Sequence, residues 1–266
     1  MRMTGAEGWT GAVRARLRLG RLLPLGAPGD GAWLAEQAAE KVLRRAAERV
    51  PGVLPGRIRV GLADPGSAGT PAVPPPPAAL PPGPLRIEAE FAAIGAAPLV
   101  EPAERLRGAL FTAAGERLGL RVAAVDLRIT ALLDGPPEPA GARTPVAADL
   151  SPDADPSPVG GPAAVGPEGA GQQAAEGAGG RLPGAGAGEP PDAIAAAAAA
   201  VPGVARLTGT LGAAVRADES SVRVECATAP GHHPVEVARA VRAAVTSVLP
   251  SPLPVTVLVT DVGLGA

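Results

Sequence analysis

The residues closest to a chemical constellation are Cys226, His232 and His233. Three nitrogen and sulfur ligands in so short a span could begin a zinc site. Adjacent histidine side chains diverge, however, and a fourth ligand is missing. His233 also precedes Pro234, which suits a helix cap or a loop equally well. Glu88, Glu90 and Asp126 lie on predicted strands, where paired carboxylates could exchange protons with a substrate. The alternation of those strands points all three outward, where charged side chains are ordinarily just solvated. Two glycine clusters, Gly177–Gly180 and Gly184–Gly188, resemble phosphate-binding loops only in composition. Neither follows a strand and no Gly-Lys-Ser/Thr is present, so nothing places a phosphate at a helix start. No Gly-x-Ser-x-Gly elbow occurs. The sequence therefore assigns no catalytic, cofactor-binding or metal-binding residue, and the expectation is a protein that is not an enzyme and needs no cofactor.

Composition describes the scaffold that must carry these side chains. The chain has 266 residues with 36 glycines and 33 prolines, but only two Trp, two Phe and no Tyr. Large core side chains are scarce, and so much Gly and Pro is the mark of long irregular tracts. Two small cores joined by a linker fit these figures better than one large core. Lys41 is the sole lysine among 24 basic residues, a bias that suggests a G+C-rich, actinobacterial genome and says little about function. A formal net charge of −2 argues against a general nucleic-acid binder, which carries a basic face. The single cysteine excludes an intramolecular disulfide. Arg14, Arg16, Arg18 and Arg21 interrupt the segment that a signal peptide would keep apolar, and no run is suited to span a bilayer. A cytoplasmic protein is expected.

Residues 1–28 form a basic arm in which Val13, Leu17 and Leu22 could line a short helix that Pro24 ends. Such an arm could touch anionic lipid or simply pack on the first domain. Asp30 is a candidate cap for a helix from Ala32 to Arg49, with Leu34, Ala38, Val42 and Ala46 on one stripe. Val50-Pro51-Gly52-Val53 breaks it, and Arg57–Leu62 alternates as a half-buried strand. The Pro-rich stretch 63–84 reads as a mobile surface insertion. Leu85–Phe91 is a second strand, a helix opens near Pro102 and stops at Gly119, and a third strand runs to Leu133. Residues 134–190 hold almost no large apolar side chain and read as a disordered Gly/Ala/Pro linker. A second series follows: a helix from Asp192 to Ala200, a Val-Pro-Gly-Val turn at Val201–Val204, strands over Leu207–Val215 and Ser221–Cys226, a helix from Pro234, and a strand at Val255–Val262.

The two series share anchors in the same order. Val-Pro-Gly-Val occurs at 50–53 and 201–204, helices open at Pro102 and Pro234, and Leu127-x-Ile129-Thr130 matches Val257-x-Val259-Thr260. The expected fold is α+β, in two small repeated modules of helix, two strands, helix, strand. The first spans 29–133 with the insertion at 63–84, and the second spans 191–264. Modules this small bury too little surface to be robust alone, so the copies are expected to pack together or each to pair with another protein.

A helix ending in Val-Pro-Gly-Val, an alternating strand pair, the helix Val235–Val245 and a strand ending Val-Thr-Asp-Val resemble the alkaline-shock/general-stress (Asp/Gls-type) family. Gly20–Gly26 and Gly31–Glu36 look like its streptomycete-like relatives, some of which carry a nucleopolyhedrovirus-type label. The resemblance covers Asp192–Leu264 well and Ala32–Leu133 weakly. It implies a small, non-enzymatic α+β module linked to envelope stress through partner proteins, and it carries over no site residue. The expected function is a non-catalytic, envelope-stress-associated scaffold binding protein partners, among them related family members, with weak membrane-surface contact through the arm. One alternative is an enzyme with a site between the modules that uses Glu88, Asp126 or His232. Another is a nucleic-acid module reading through Arg57, Arg59 and Arg128, which the net charge disfavours.

Overall fold

Both Val-Pro-Gly-Val turns end a helix and launch a strand. Gly52 and Gly203 have φ of 76° and 90°, a left-handed conformation that glycine adopts without a Cβ clash. In each turn the last valine donates to the carbonyl of the first, at 3.3 Å for Val53 to Val50 and 3.1 Å for Val204 to Val201. The glycine carbonyls then accept from matching places, Ile94 N–H at 2.9 Å and Ala229 N–H at 2.8 Å.

The structure is a computed structural model that describes residues 19–95, 98–135 and 191–265, all within one compact unit. A hairpin comes first, β1 (Leu22–Leu25) and β2 (Ala32–Ala35). The first copy follows: α1 (Glu36–Glu48), β3 (Val53–Leu62), β4 (Leu85–Ile94), α2 (Val100–Thr112) with a π-helical turn at Ala113–Leu118, and β5 (Val122–Leu133). The second copy has α3 (Pro191–Ala199), β6 (Val204–Leu207), β7 (Val215–Asp218), β8 (Ser221–Thr228), α4 (Pro234–Val248) and β9 (Val255–Val262). The fold is α+β.

The copies share one topology. β3 runs antiparallel to β4, and β4 parallel to β5. Likewise β6 and β7 run antiparallel to β8, and β8 parallel to β9. Each parallel pair carries a bulge, after Phe91 in one copy and after Cys226 in the other, and the skipped residues are Thr130 and Thr260. Their hydroxyls donate to the carbonyls of Phe91 and Cys226, at 3.2 and 3.3 Å.

The hairpin joins the second copy's sheet, because β2 pairs in parallel with β9. This gives a six-stranded sheet beside the three-stranded sheet β3-β4-β5. α1 packs against β3 of the small sheet and against β2 and β9 of the large one, so its apolar stripe Ala39, Val42 and Leu43 serves both. α4 buries Val237, Ala238, Val241 and Val245 on the large sheet. One apolar core runs through the described residues.

Five expectations change. The first helix begins at Glu36 rather than Ala32, because Ala32-Trp33-Leu34-Ala35 is a strand buried on both faces, which erases the alternation that marks a strand. Asp30 caps no long helix and instead accepts from Ala27 N–H at 2.7 Å across the turn Pro28–Asp30. The arm's Leu22 lies in a strand rather than on a helix, while residues 1–18 are outside the described residues. Apart from its two end residues, the strand predicted over Leu207–Val215 is instead the loop Thr208–Ala214, with Gly209 and Gly212 (φ 126°), between β6, which ends at Leu207, and β7, which begins at Val215. The insertion 63–84 docks on the large sheet. Leu22 N–H donates to Ala78 O at 3.2 Å, Leu80 N–H to Leu22 O at 2.8 Å, and Trp33 Nε1–H to Leu80 O at 3.2 Å, while Thr256 Oγ1–H donates to Pro74 O at 3.0 Å. Beyond Gly135, the predicted linker lies outside the described residues up to Pro190.

Candidate functional site

α1 and its C-cap present Val42, Arg45 and Arg49 on one face, at the three- and four-residue steps that align side chains on a helix. That face forms one wall of a cleft of about 440 Å³. The π-helical turn adds Glu116 and Arg117, the loop before α4 adds His232 and His233, and Val262 and Leu264 add apolar surface. The cleft thus lies between elements of the first copy and elements of the second. Both histidines lie against a glycine backbone. A Cβ on Gly203 would come within 2.7 Å of His232 Nδ1, and one on Gly119 within 2.7 Å of His233 Cε1. His233 Nε2 is 3.4 Å from Gly115 O, whereas its Nδ1 is buried without a partner.

Charge in this cleft is unbalanced. Arg45, Arg49 and Arg117 have no carboxylate within ion-pair distance among the described residues, whereas nearby Lys41 and Arg206 both pair with Asp261, at 3.1 and 3.7 Å. Among the described residues Glu116 is the one acidic side chain lining the cleft. Uncompensated guanidinium groups beside apolar surface suit a ligand that is anionic and partly apolar.

The acidic candidates lie elsewhere. Glu88 and Asp126 are register neighbours on the uncovered face of the small sheet, and with Glu90, Arg57, Arg59 and Arg128 they line a shallow groove of about 300 Å³. Arg86 pairs with Asp126 at 3.2 Å and Arg128 with Glu90 at 4.0 Å. The structure brings Glu88 to Asp126 but not to His232. It also sets Arg57, Arg59 and Arg128 among three carboxylates, without the aromatic platforms that single-stranded nucleic acid stacks on. Cys226 is buried, and burial pushes its thiol up to about 12, so it is not a nucleophile. Among the described residues no three His, Cys, Asp or Glu side chains converge to hold a metal ion, and no helix is long and apolar enough to cross a membrane.

One buried charged group escaped the sequence reading. Glu225 is fully buried on β8, and burial pushes its carboxyl above the usual range. The loop Thr208–Ala214 folds over it, with Leu211 N–H donating to Oε2 at 3.0 Å. Arg223 Nη2 lies 3.3 Å from Oε1, but the two atoms lack hydrogen-bond geometry and both remain unpartnered. A lone Glu inside Val222–Ala227, otherwise apolar apart from Arg223, was the available signal.

Comparisons with protein-family models, with curated proteins and with solved structures found no match.

Proposed function

We propose that this chain is a non-catalytic binding protein, a scaffold of the envelope-stress kind that its resemblance to alkaline-shock proteins implies, and that the cleft between its two copies receives an acidic segment of a partner protein. The carrying observation is the convergence of Arg45, Arg49 and Arg117 without acidic partners. Both histidines join them, while Glu88 and Asp126 sit in a separate, open and ion-paired groove. Guanidinium groups recognise carboxylates well because the two geometries match. Residence on the cytoplasmic side, with the basic arm 1–28 adding weak attraction to the membrane surface, completes the reading.

The test is a crosslinking pull-down from fractionated membranes and cytosol. It uses the full chain, a form lacking residues 1–18 (so that β1 is kept), and an Arg49→Glu/Arg117→Glu variant. Partners recovered by the full chain and lost with charge reversal are expected, with binding that weakens in salt. Recovery unchanged by charge reversal removes the cleft from the reading. An absence of any partner removes the scaffold and returns attention to a reaction at Glu88, Asp126 or His232.

A further inference from the structure

Sheet edges expose unpaired backbone groups and are normally short, bulged, proline-bearing or covered. Among the described residues, most edges here are managed in one of these ways. β1 carries Pro24, and Leu22 is bridged to Ala79. β3 is bulged between Pro55 and Ile58, and its carbonyls at Gly56 and Val60 accept from Arg44 and Arg21 at 2.9 and 2.8 Å. The edge formed by β6 and β7 is broken at Thr208–Ala214. The outer edge of β9 is filled by β2.

Among the described residues β5, the counterpart of β9, has no such neighbour. It is 12 residues long, has no proline, glycine or lysine, and is exposed from Arg128 through Leu132. Ile129 and Leu132 are 38% and 67% exposed. Its guards are bulges at Ala123 and Thr130, which leave Ala124–Ile129 regular between them, and Arg107 Nε–H to Val125 O at 3.4 Å.

The residues on this strand are complementary to themselves. In an antiparallel pair centred on Leu127, Asp126 of each strand lies opposite Arg128 of the other, and Val125 opposite Ile129. Opposed residues share a face, so the charged pairs fall on the uncovered side with Glu88 and Glu90, and the apolar pairs continue the row of Ile87, Ala89 and Phe91. Arg128 is 81% exposed, and its contact with Glu90 is a loose 4.0 Å, which leaves it within reach of a second carboxylate.

We propose that β5 pairs in this register with β5 of a second copy of the chain, joining two three-stranded sheets across a two-fold axis. The Arg107 side chain releases Val125 O as the strands meet. This surface is separate from the arginine-lined cleft and its occupancy does not depend on that cleft.

Sedimentation equilibrium of the full chain from about 1 µM to about 1 mM, the range of weak specific association, tests the pairing. A concentration-dependent dimer is expected. Asp126→Arg and Arg128→Asp each set like charges opposite one another and weaken the dimer by about tenfold or more. The double variant restores the opposite-sign pairs and recovers the dimer, as does an equimolar mixture of the two single variants. Circular dichroism checks that each variant is folded. A monomer throughout the range, or a dimer indifferent to both single changes, overturns the proposal.

Discussion

Arg239 grips Asp30 through two parallel N–H···O bonds of 2.9 and 2.8 Å, tying α4 to the turn between β1 and β2. The Arg239 guanidinium, helped by Ala27 N–H, holds the Asp30 carboxyl below the usual carboxylate range. A carboxylate whose folded pKa is depressed contributes stability at higher pH and loses it as pH falls through the folded value. Asp30→Asn should cost about 1 kcal/mol near neutral pH, a modest figure because Arg239 is half exposed and solvent screens the pair. The difference from wild type should shrink as pH falls below about 4, the ordinary carboxylate range. Urea denaturation at neutral and acid pH measures both.

The two turn glycines make unequal predictions from equivalent positions. Both have positive φ, so alanine at either costs about 1–2 kcal/mol in backbone strain. A Cβ on Gly52 would meet only Ile94 O, at 3.4 Å, but on Gly203 it would meet His232 Nδ1 and Val237 Cγ2, both at 2.7 Å. Overpacking adds about 1–3 kcal/mol, so Gly203→Ala should destabilise clearly more than Gly52→Ala. Thermal melts of the two variants side by side decide it. Equal losses would mean that both His232 and Val237 yield without cost.

Arg223→Met should leave the Glu225 carboxylate buried without its counter-charge, at a cost of about 3 kcal/mol near neutral pH. Burial already raises the Glu225 pKa above its unfolded value, and losing Arg223 raises it further. A raised carboxyl pKa favours the folded state when protonated, so stability falls as pH rises from the unfolded toward the folded pKa. The penalty of the substitution should therefore grow with pH across that interval and be smallest in acid. Chemical denaturation as a function of pH reads this slope, and a penalty independent of pH would contradict it.

Much of the fold was legible because both copies punctuate themselves with Val-Pro-Gly-Val and alternate in their strands. The hairpin was not. Ala32–Ala35 is buried on both faces by contacts from distant parts of the chain, among them Leu80 and β9, so its apolar run merged with the helical stripe of α1. The cleft was invisible for a related reason. Arg45 and Arg49 read as the solvated side of an amphipathic helix, and only the folded chain brings Arg117 and His232 to them. Glu225 drew no notice because nothing local announces that Thr208–Ala214 closes over it.

The pairing of β2 with β9 has a consequence for biosynthesis. Ala32 rests against Val257, so a long stretch of chain, both copies included, separates a strand from its neighbour. On the ribosome, Trp33 and Leu34 are made early and must wait, without that partner, until β9 leaves the exit tunnel. The first copy can organise its own three strands during translation, but the larger sheet can close only once β9 has emerged. Contacts this distant along the chain slow folding. A nascent chain stalled before Val255 should therefore display an apolar hairpin that the finished protein hides, a natural point for chaperones to engage.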